Sequence, residues 1–276
     1  MNKLKFTKMH GLGNDFMVIN AIDQIFIPDI KQIQQWSDRH FGIGFDQLLL
    51  VQKPDDPTND FKYRIFNADG NEVEQCGNGA RCFMRFVYEK QLTNKSTILV
   101  ETVKETITLS LDDHGLVTVN MGQPRFEPKQ IPFLVDKIAN KYTIEFEGHQ
   151  AEITCINMGN PHAVLLVKDV EQAPVEQWGS AIEKHPLFPE GVNVGFLQIL
   201  NKSEVKLRVF ERGVGETFAC GTGACAAVVA GIRLGLLNET VCVFTQKGQL
   251  TIHWQEQQPV TMTGPAQTVF EGEISY

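Results

Sequence analysis

The strongest constraint on this chain is a phrase that it contains twice. Residues 76–82 read Cys-Gly-Asn-Gly-Ala-Arg-Cys, and residues 220–225 read Cys-Gly-Thr-Gly-Ala-Cys. Each copy follows a matching strand-like run at the same distance, Tyr63-Arg64-Ile65-Phe66 before the first and Leu207-Arg208-Val209-Phe210 before the second. The two leading cysteines are 144 positions apart. Gly13-Asn14 and Gly159-Asn160 match at an offset of 146, as do Gln47 and Asn193, and Trp36 matches Trp178 at 142. Pairs in one order at a nearly constant offset are the mark of a duplicated unit. Such a chain is expected to form two similar lobes, with a ligand in the cleft that the lobes leave.

Periodicity fills in the elements. In the first half, apolar spacing predicts a helix over 29–40, with Ile30, Ile33 and Trp36 on one face and Asp29 as its cap. Strands are expected over 48–52 and 62–67, the second ending in the Asp69-Gly70 turn. A helix runs from Gly77 to about Lys90, with Ala80, Phe83, Met84 and Val87 marking one face. Strand-like runs follow over 97–101, 105–111 and 116–121. Gly122-Gln123-Pro124 then breaks the pattern and marks a domain boundary. The second half predicts strands over 152–157 and 163–168, a helix over 175–184, strands over 193–200 and 204–211, and a helix over 221–234, with further short strands to the end. This last helix is apolar nearly all round (Ala224, Ala226, Ala227, Val228, Val229, Ile232), so it belongs inside its lobe, wrapped by strands.

The expected fold is therefore α+β, two pseudo-symmetric lobes from an internal duplication, each of strands around a central helix. The N-terminal lobe is expected over 1–121 plus about 266–276, the C-terminal lobe over 122–265, and the active site in the cleft between them.

Composition narrows the function. A chain of 276 residues is long for one core and comfortable for two domains. A net charge of −8 provides no electrostatic footprint for nucleic acid. The start, Met1-Asn2-Lys3-Leu4-Lys5-Phe6, lacks the apolar core of a secretory signal, and no apolar run approaches a membrane span. Six cysteines in this setting suggest free thiols in a reducing cytoplasm.

A thiol at a helix start sits in the positive end of the helix dipole, which should lower its pKa. Gly77, Gly79, Gly221 and Gly223 let the backbone come close to a ligand, and bare N–H groups there suit a carboxylate. Two such starts facing each other would hold one carboxylate, with Cys76 and Cys220 on opposite faces of its α-carbon. That geometry suits proton transfer: one thiolate removes the proton and the other thiol returns one. The planar intermediate needs preorganised N–H dipoles, and the thiol pair titrates as a unit. Competing readings are plainer. Buried cysteine is common in cores, and that reading is preferred for Cys82, Cys155, Cys225 and Cys242. Cys76/Cys82 and Cys220/Cys225, six and five apart, do not match short zinc loops, so no metal is expected. There is no Cys-x-x-Cys redox pair, and the glycine phrases lack the Lys-Ser/Thr ending of a phosphate loop.

These phrases, with Met9-His10-Gly11-Leu12-Gly13-Asn14-Asp15-Phe16 at the start, resemble the bacterial diaminopimelate epimerases. The resemblance extends to Val269-Phe270-Glu271-Gly272 near the C-terminus. On the way it takes in Phe66-Asn67-Ala68-Asp69-Gly70, Asn157-Met158-Gly159-Asn160-Pro161-His162 and Glu211-Arg212-Gly213-Val214-Gly215-Glu216-Thr217. It implies epimerisation of LL-diaminopimelate to the meso form without a cofactor, in lysine and cell-wall precursor synthesis, and a homodimer. By position it makes Cys76 and Cys220 the catalytic pair, and Gly77, Asn78, Gly221 and Thr222 the grip on the reacting carboxylate. Asn14, Gln47, Asn67, Asn160 and Asn193 match substrate contacts. Arg212 suits the distant carboxylate by bidentate pairing. Glu211 and His162 match residues that orient substrate and tune the thiols. Phe270 stands where family members often carry Tyr at a dimer contact, keeping the ring and losing the hydroxyl. Two alternatives stay open: a proline-racemase-like enzyme, and a thiol-switch protein that binds without turnover. The asparagine-rich set with Arg212 favours the longer, doubly zwitterionic substrate.

Overall fold

The structure is a computed structural model that describes residues 3–73 and 77–275. The chain divides into two compact units, Met1–Asn120 with Thr263–Tyr276, and Met121–Met262.

In the first unit, β1 (Lys3–Gly11) and β2 (Asn14–Asn20) form a hairpin closed by Leu12 and Gly13, both at positive φ (56° and 92°), as a tight hairpin turn requires. Strand β3 (Gln47–Gln52) lies parallel to β2, so the chain must cross over, and α1 (Ile30–Ser37) occupies that crossover. Asp29 caps α1 by accepting from the Gln32 N–H at 3.0 Å. Strand β4 (Phe61–Asn67) runs antiparallel to β3, and β5 (Glu72–Val73) folds back on β4. After α2 (Gly77–Glu89), β6 (Thr97–Glu101) pairs parallel with β4, and β7 (Thr106–Leu111) and β8 (Val117–Asn120) continue antiparallel. Alternation along the strands separates two cores. Met17, Ile19, Leu48, Leu50 and Phe66 pack with Ile33 and Trp36 of α1. The other strand faces surround α2, where the Tyr63 and Phe83 rings lie 4.8 Å apart.

The second unit opens with a hairpin of β9 (Tyr142–Phe146), not foreseen in the sequence, and β10 (His149–Asn157), expected over 152–157. It then repeats the first unit's plan. Strand β11 (Pro161–Leu166) is antiparallel to β10, α3 (Val175–Glu183) crosses over, and β12 (Asn193–Asn201) lies parallel to β11. Strand β13 (Glu204–Glu211) is antiparallel to β12, β14 (Gly215–Thr217) folds back on it, and α4 (Gly221–Arg233) follows. Strand β15 (Thr240–Thr245) pairs parallel with β13, and β16 (Gly248–His253) antiparallel with β15. Strand β17 (Thr261–Gly264) spans the unit boundary, and β18 (Gln267–Ser275) pairs antiparallel with β1.

The duplication holds at the level of register. Phe16 faces Gln47 as His162 faces Asn193, and Leu48 faces Phe66 as Val194 faces Phe210. Phe66 faces Glu72 as Phe210 faces Glu216. Even the charge pair recurs: Arg64 donates twice to Glu72 (2.7 and 2.8 Å), and Arg208 twice to Glu216 (2.6 and 2.7 Å). The fold is α+β, two pseudo-symmetric halves, each with strands wrapped around a central helix.

Three local expectations need correction. The helix expected over 29–40 stops at Ser37, because the Asp38 carboxylate accepts from the His40 and Phe41 N–H groups and pulls the chain out of the helix. Helix α2 is not one-faced: Gly77 through Met84 are all buried, Arg81 completely, because strands cover it on several sides. Cys242 is half-buried rather than a core residue, whereas Cys82, Cys155 and Cys225 are core residues.

Candidate active-site residues

Cys76 lies outside the described residues, so the geometry of the first half starts at Gly77. Gly77 and Asn78 are the first residues of α2, and both are buried. The Asn78 side chain is held from two directions. Arg81 Nη2 donates to Asn78 Oδ1 at 2.9 Å, and Asn78 Nδ2 donates to Asn14 Oδ1 at 3.3 Å. Arg81 also donates to the Gly77 carbonyl (3.3 Å) and the Pro265 carbonyl (3.1 Å). Gly11 makes this packing achievable, because a Cβ there would stand 3.1 Å from Arg81 Nη2. Asn14 in turn donates to Asp46 Oδ2 at 2.9 Å. Asp46 and Asp15 share Arg39, and Lys8 donates to Asp15 at 2.6 Å. Burial alone would raise the Asp15 pKa, but the hydrogen bonds from Arg39 and Lys8 outweigh it and hold the carboxyl well below the usual range. Gln47 Nε2 donates to Asn67 Oδ1 at 2.8 Å, while Gln47 Oε1 is buried with no hydrogen-bond donor on it among the described residues.

In the second half, Cys220 is the N-cap of α4 and is buried. Its sulfur lies 3.5 Å from Thr222 Oγ1. Gly223 permits close approach, since a Cβ there would stand 3.3 Å from the sulfur and 3.1 Å from Val209 Cγ2. Burial pushes the Cys220 thiol well above its ordinary pKa, and the Glu211 carboxylate adds to the rise; Thr222 and the Gly223 N–H oppose it. This reverses the expectation that a helix start lowers the thiol pKa. A dipole worth about 1 kcal/mol does not offset complete desolvation of a thiolate beside a carboxylate. Glu211 is itself fixed by Thr217, whose hydroxyl donates to Oε1 at 2.5 Å.

His162 is buried on β11, with Nε2 2.8 Å from Asn160 Oδ1. Burial, followed by the charge of Arg212, pushes its pKa down to about 3. The ring is neutral at pH 7, and with Asn160 Oδ1 as acceptor its proton sits on Nε2. Asn193 uses its amide on the main chain, donating to the Pro161 carbonyl (2.8 Å) and accepting from the Arg212 N–H (3.0 Å). Arg212 is exposed, and its Nη1 donates to the Glu190 carbonyl at 2.8 Å. Gly221 is buried and Thr222 half-buried at the start of α4. Phe270, on β18, is 46% exposed and meets Phe6 edge-on at 6.0 Å.

The structure thus joins Asn14 with Asn78, Gln47 with Asn67, Asn160 with His162, Asn193 with Arg212, and Cys220 with Glu211 and Thr222. Sequence reasoning missed the partners that hold these groups. Arg81, Asp15 and Thr217 lay inside quoted motifs and were passed over. Lys8, Arg39, Asp46 and Glu190 carried no local signal. Among the described residues no three His, Cys, Asp or Glu side chains gather as metal ligands. No helix there is long and apolar enough to cross a membrane.

A family model described as diaminopimelate epimerase matches residues 6–127 and 154–269. A diaminopimelate epimerase of Neisseria meningitidis is 59% identical over 282 residues, covering 100% of each chain. One of Nitrosomonas europaea is 58% identical over 273 residues, covering 99% of each. Among solved structures, a probable proline racemase from Agrobacterium radiobacter superposes with a TM-score of 0.72 at 14% identity, covering 99% of this chain and 93% of that one. A hydroxyproline epimerase from Agrobacterium vitis gives 0.70 at 15% identity, covering 99% and 92%. At such identities the structural likeness speaks for the fold alone.

Proposed function

This chain belongs to the diaminopimelate epimerase family, and from that premise we propose the chemistry its residues perform. It is an isomerase that interconverts LL-2,6-diaminopimelate and the meso form. The reaction uses two thiols and no cofactor. In one direction the Cys76 thiolate takes the α-proton and the Cys220 thiol delivers a proton to the opposite face; in reverse the roles exchange. The reacting carboxylate of the substrate is held by the N–H groups at Gly77, Asn78, Gly221 and Thr222, where helix starts favour negative charge. The same dipoles stabilise the planar intermediate. Arg212 pairs with the distant carboxylate, and the amides of Asn14, Gln47, Asn67, Asn160 and Asn193 line the rest. The Gln47 Oε1 acceptor, which has no donor among the described residues, suits an ammonium donor. Neutral His162 and Glu211 set the polarity around Cys220.

The observation that carries this reading is the place of Cys220, buried as the N-cap of α4 with its sulfur 3.5 Å from Thr222 Oγ1. A buried thiol at the start of α4, beside a carboxylate, keeps its proton near neutral pH and is ready to donate it. We place the enzyme in the cytoplasm, supplying lysine and peptidoglycan precursors, as a homodimer whose contact includes Phe270 on β18. The test is LL-diaminopimelate in heavy water with the wild type, Cys76→Ser and Cys220→Ser. The wild type should introduce deuterium at the α-carbon with inversion, and each variant should lose net inversion. A Cys220→Ser enzyme that inverts at the wild-type rate would remove Cys220 from the mechanism.

A further inference from the structure

Arg212 stands on a turn that should be loose. It is exposed, and glycines at 213 and 215 take positive φ (74° and 101°). A long side chain on such a turn loses considerable freedom when it is ordered. The structure removes that freedom in advance. The Arg212 N–H donates to Asn193 Oδ1 at 3.0 Å, the next N–H, of Gly213, donates to Glu183 Oε1 at 2.7 Å, and Arg212 Nη1 donates to the Glu190 carbonyl at 2.8 Å. The stem of Arg212 crosses the main chain at Gly191, where a Cβ would stand 3.0 Å from Cδ and 3.2 Å from Cγ. Glu183 is the last residue of α3 and is buried, an expensive place for a carboxylate that had no N–H to receive.

The first half holds the equivalent turn in the same way. Residues 68–71 follow β4 as residues 212–214 follow β13, and α1 reaches back to grip the first of these turns. Gln34 Nε2 donates to the Asp69 carbonyl at 2.9 Å, and Ser37 Oγ to the Ala68 carbonyl at 3.2 Å. The crossover helix therefore clamps the turn in both copies. In the second copy the clamp is an acceptor aimed at an N–H, and the residue before that N–H is the arginine.

We propose that Glu183 is a positioning residue: by fixing the Gly213 N–H it aims Arg212 at the distal carboxylate of the substrate. This rests on the reading of Arg212 as the group that pairs with that carboxylate. The clamp favours substrates with a carboxylate at both ends, because a preordered arginine gives up less freedom on binding.

The experiment compares steady-state epimerisation of LL-diaminopimelate by the wild type, Glu183→Ala, Glu183→Gln, Arg212→Ala and the Glu183→Ala/Arg212→Ala double variant, with thermal melts of each. Glu183→Ala should raise KM about tenfold and change kcat by less than about threefold, the pattern of lost uniform binding. Glu183→Gln keeps the acceptor and should stay within about twofold of the wild-type KM. The double variant should be no worse than Arg212→Ala, since the two act as one unit. A wild-type KM in Glu183→Ala, or two effects that multiply independently, overturns the proposal. Should Glu183→Ala not fold, Glu183→Asp withdraws the acceptor by one methylene, and a wild-type KM there overturns it equally. If Arg212→Ala has the wild-type KM, the reading of Arg212 fails and takes this inference with it. If Arg212→Ala is impaired and Glu183→Ala is not, this inference alone fails.

Discussion

Burial moves Cys220 and His162 in opposite directions on the pH scale and leaves both neutral at pH 7. For Cys220 the Glu211 carboxylate adds to the effect of burial. Replacing Glu211 by Gln should therefore shift the pH midpoint of Cys220 alkylation downward, read by mass mapping over a pH series. An unchanged midpoint would show that Glu211 plays no electrostatic part. For His162 the sign follows from its lowered pKa. Below about pH 6.5 the unfolded chain binds a proton that the native ring refuses. The stability tied to this ring is thus fully present above pH 6.5 and is lost as pH falls toward 3, by up to about 1.4 kcal/mol per pH unit. Urea midpoints between pH 7 and pH 4 should fall less steeply in His162→Gln than in the wild type; equal slopes would contradict the assignment. Motif matching located both residues, but the proton each carries depends on what is packed around it.

At the scale of the element, both central helices are surrounded by other parts of the chain, and their glycines mark where the neighbours come closest. A Cβ at Gly79 would stand 2.2 Å from the Tyr63 hydroxyl, and one at Gly231 would stand 2.3 Å from Leu237 Cδ1. Alanine is the better helix former by about 1 kcal/mol. Overpacking outweighs that gain, so Gly79→Ala and Gly231→Ala should each destabilise by about 2 kcal/mol in denaturant titrations. Tyr63→Phe should recover part of the Gly79→Ala loss and none of the Gly231→Ala loss. The same enclosure explains why α2 was misread as one-faced. Its pattern includes Arg81, Arg85 and Glu89, which reads as a solvated flank. Arg81 is instead fully buried, with its guanidinium on Asn78 and two carbonyls. Charge in a helical pattern signals exposure unless acceptors await it, and here they come from residues 77, 78 and 265. Helix α4 has no such charge in its enclosed turns, so its burial was legible.

At the scale of the molecule, the second unit is one continuous stretch, whereas the first needs the chain's end. Strand β18 pairs with β1 from Lys3–Ser275 to His10–Gln267, and Ile274 packs on the core that holds Leu4 and Phe6. A fragment of residues 121–262 should melt cooperatively by circular dichroism. A fragment of residues 1–120 should do so only when residues 263–276 are supplied; a cooperative melt without them would make β18 dispensable. The duplication and the order of elements within each half were legible because duplication leaves the same residue types at the same offsets; strand register came only with the structure. Strands β1, β2 and β9 were missed and β10 was seen only from residue 152 onward, although Tyr142–Phe146 alternates with Ile144 and Phe146 buried; over runs this short, alternation alone does not separate strand from coil. What the residues determined unaided was where two glycine-bearing helix starts fall in a repeated plan. What the tertiary structure decided was the state of the groups placed there: the proton on Cys220, the neutral ring of His162, the interior position of Arg81 and the grip of Glu183 behind Arg212. Each of these depends on burial and on partners distant in sequence, and local spacing does not encode either.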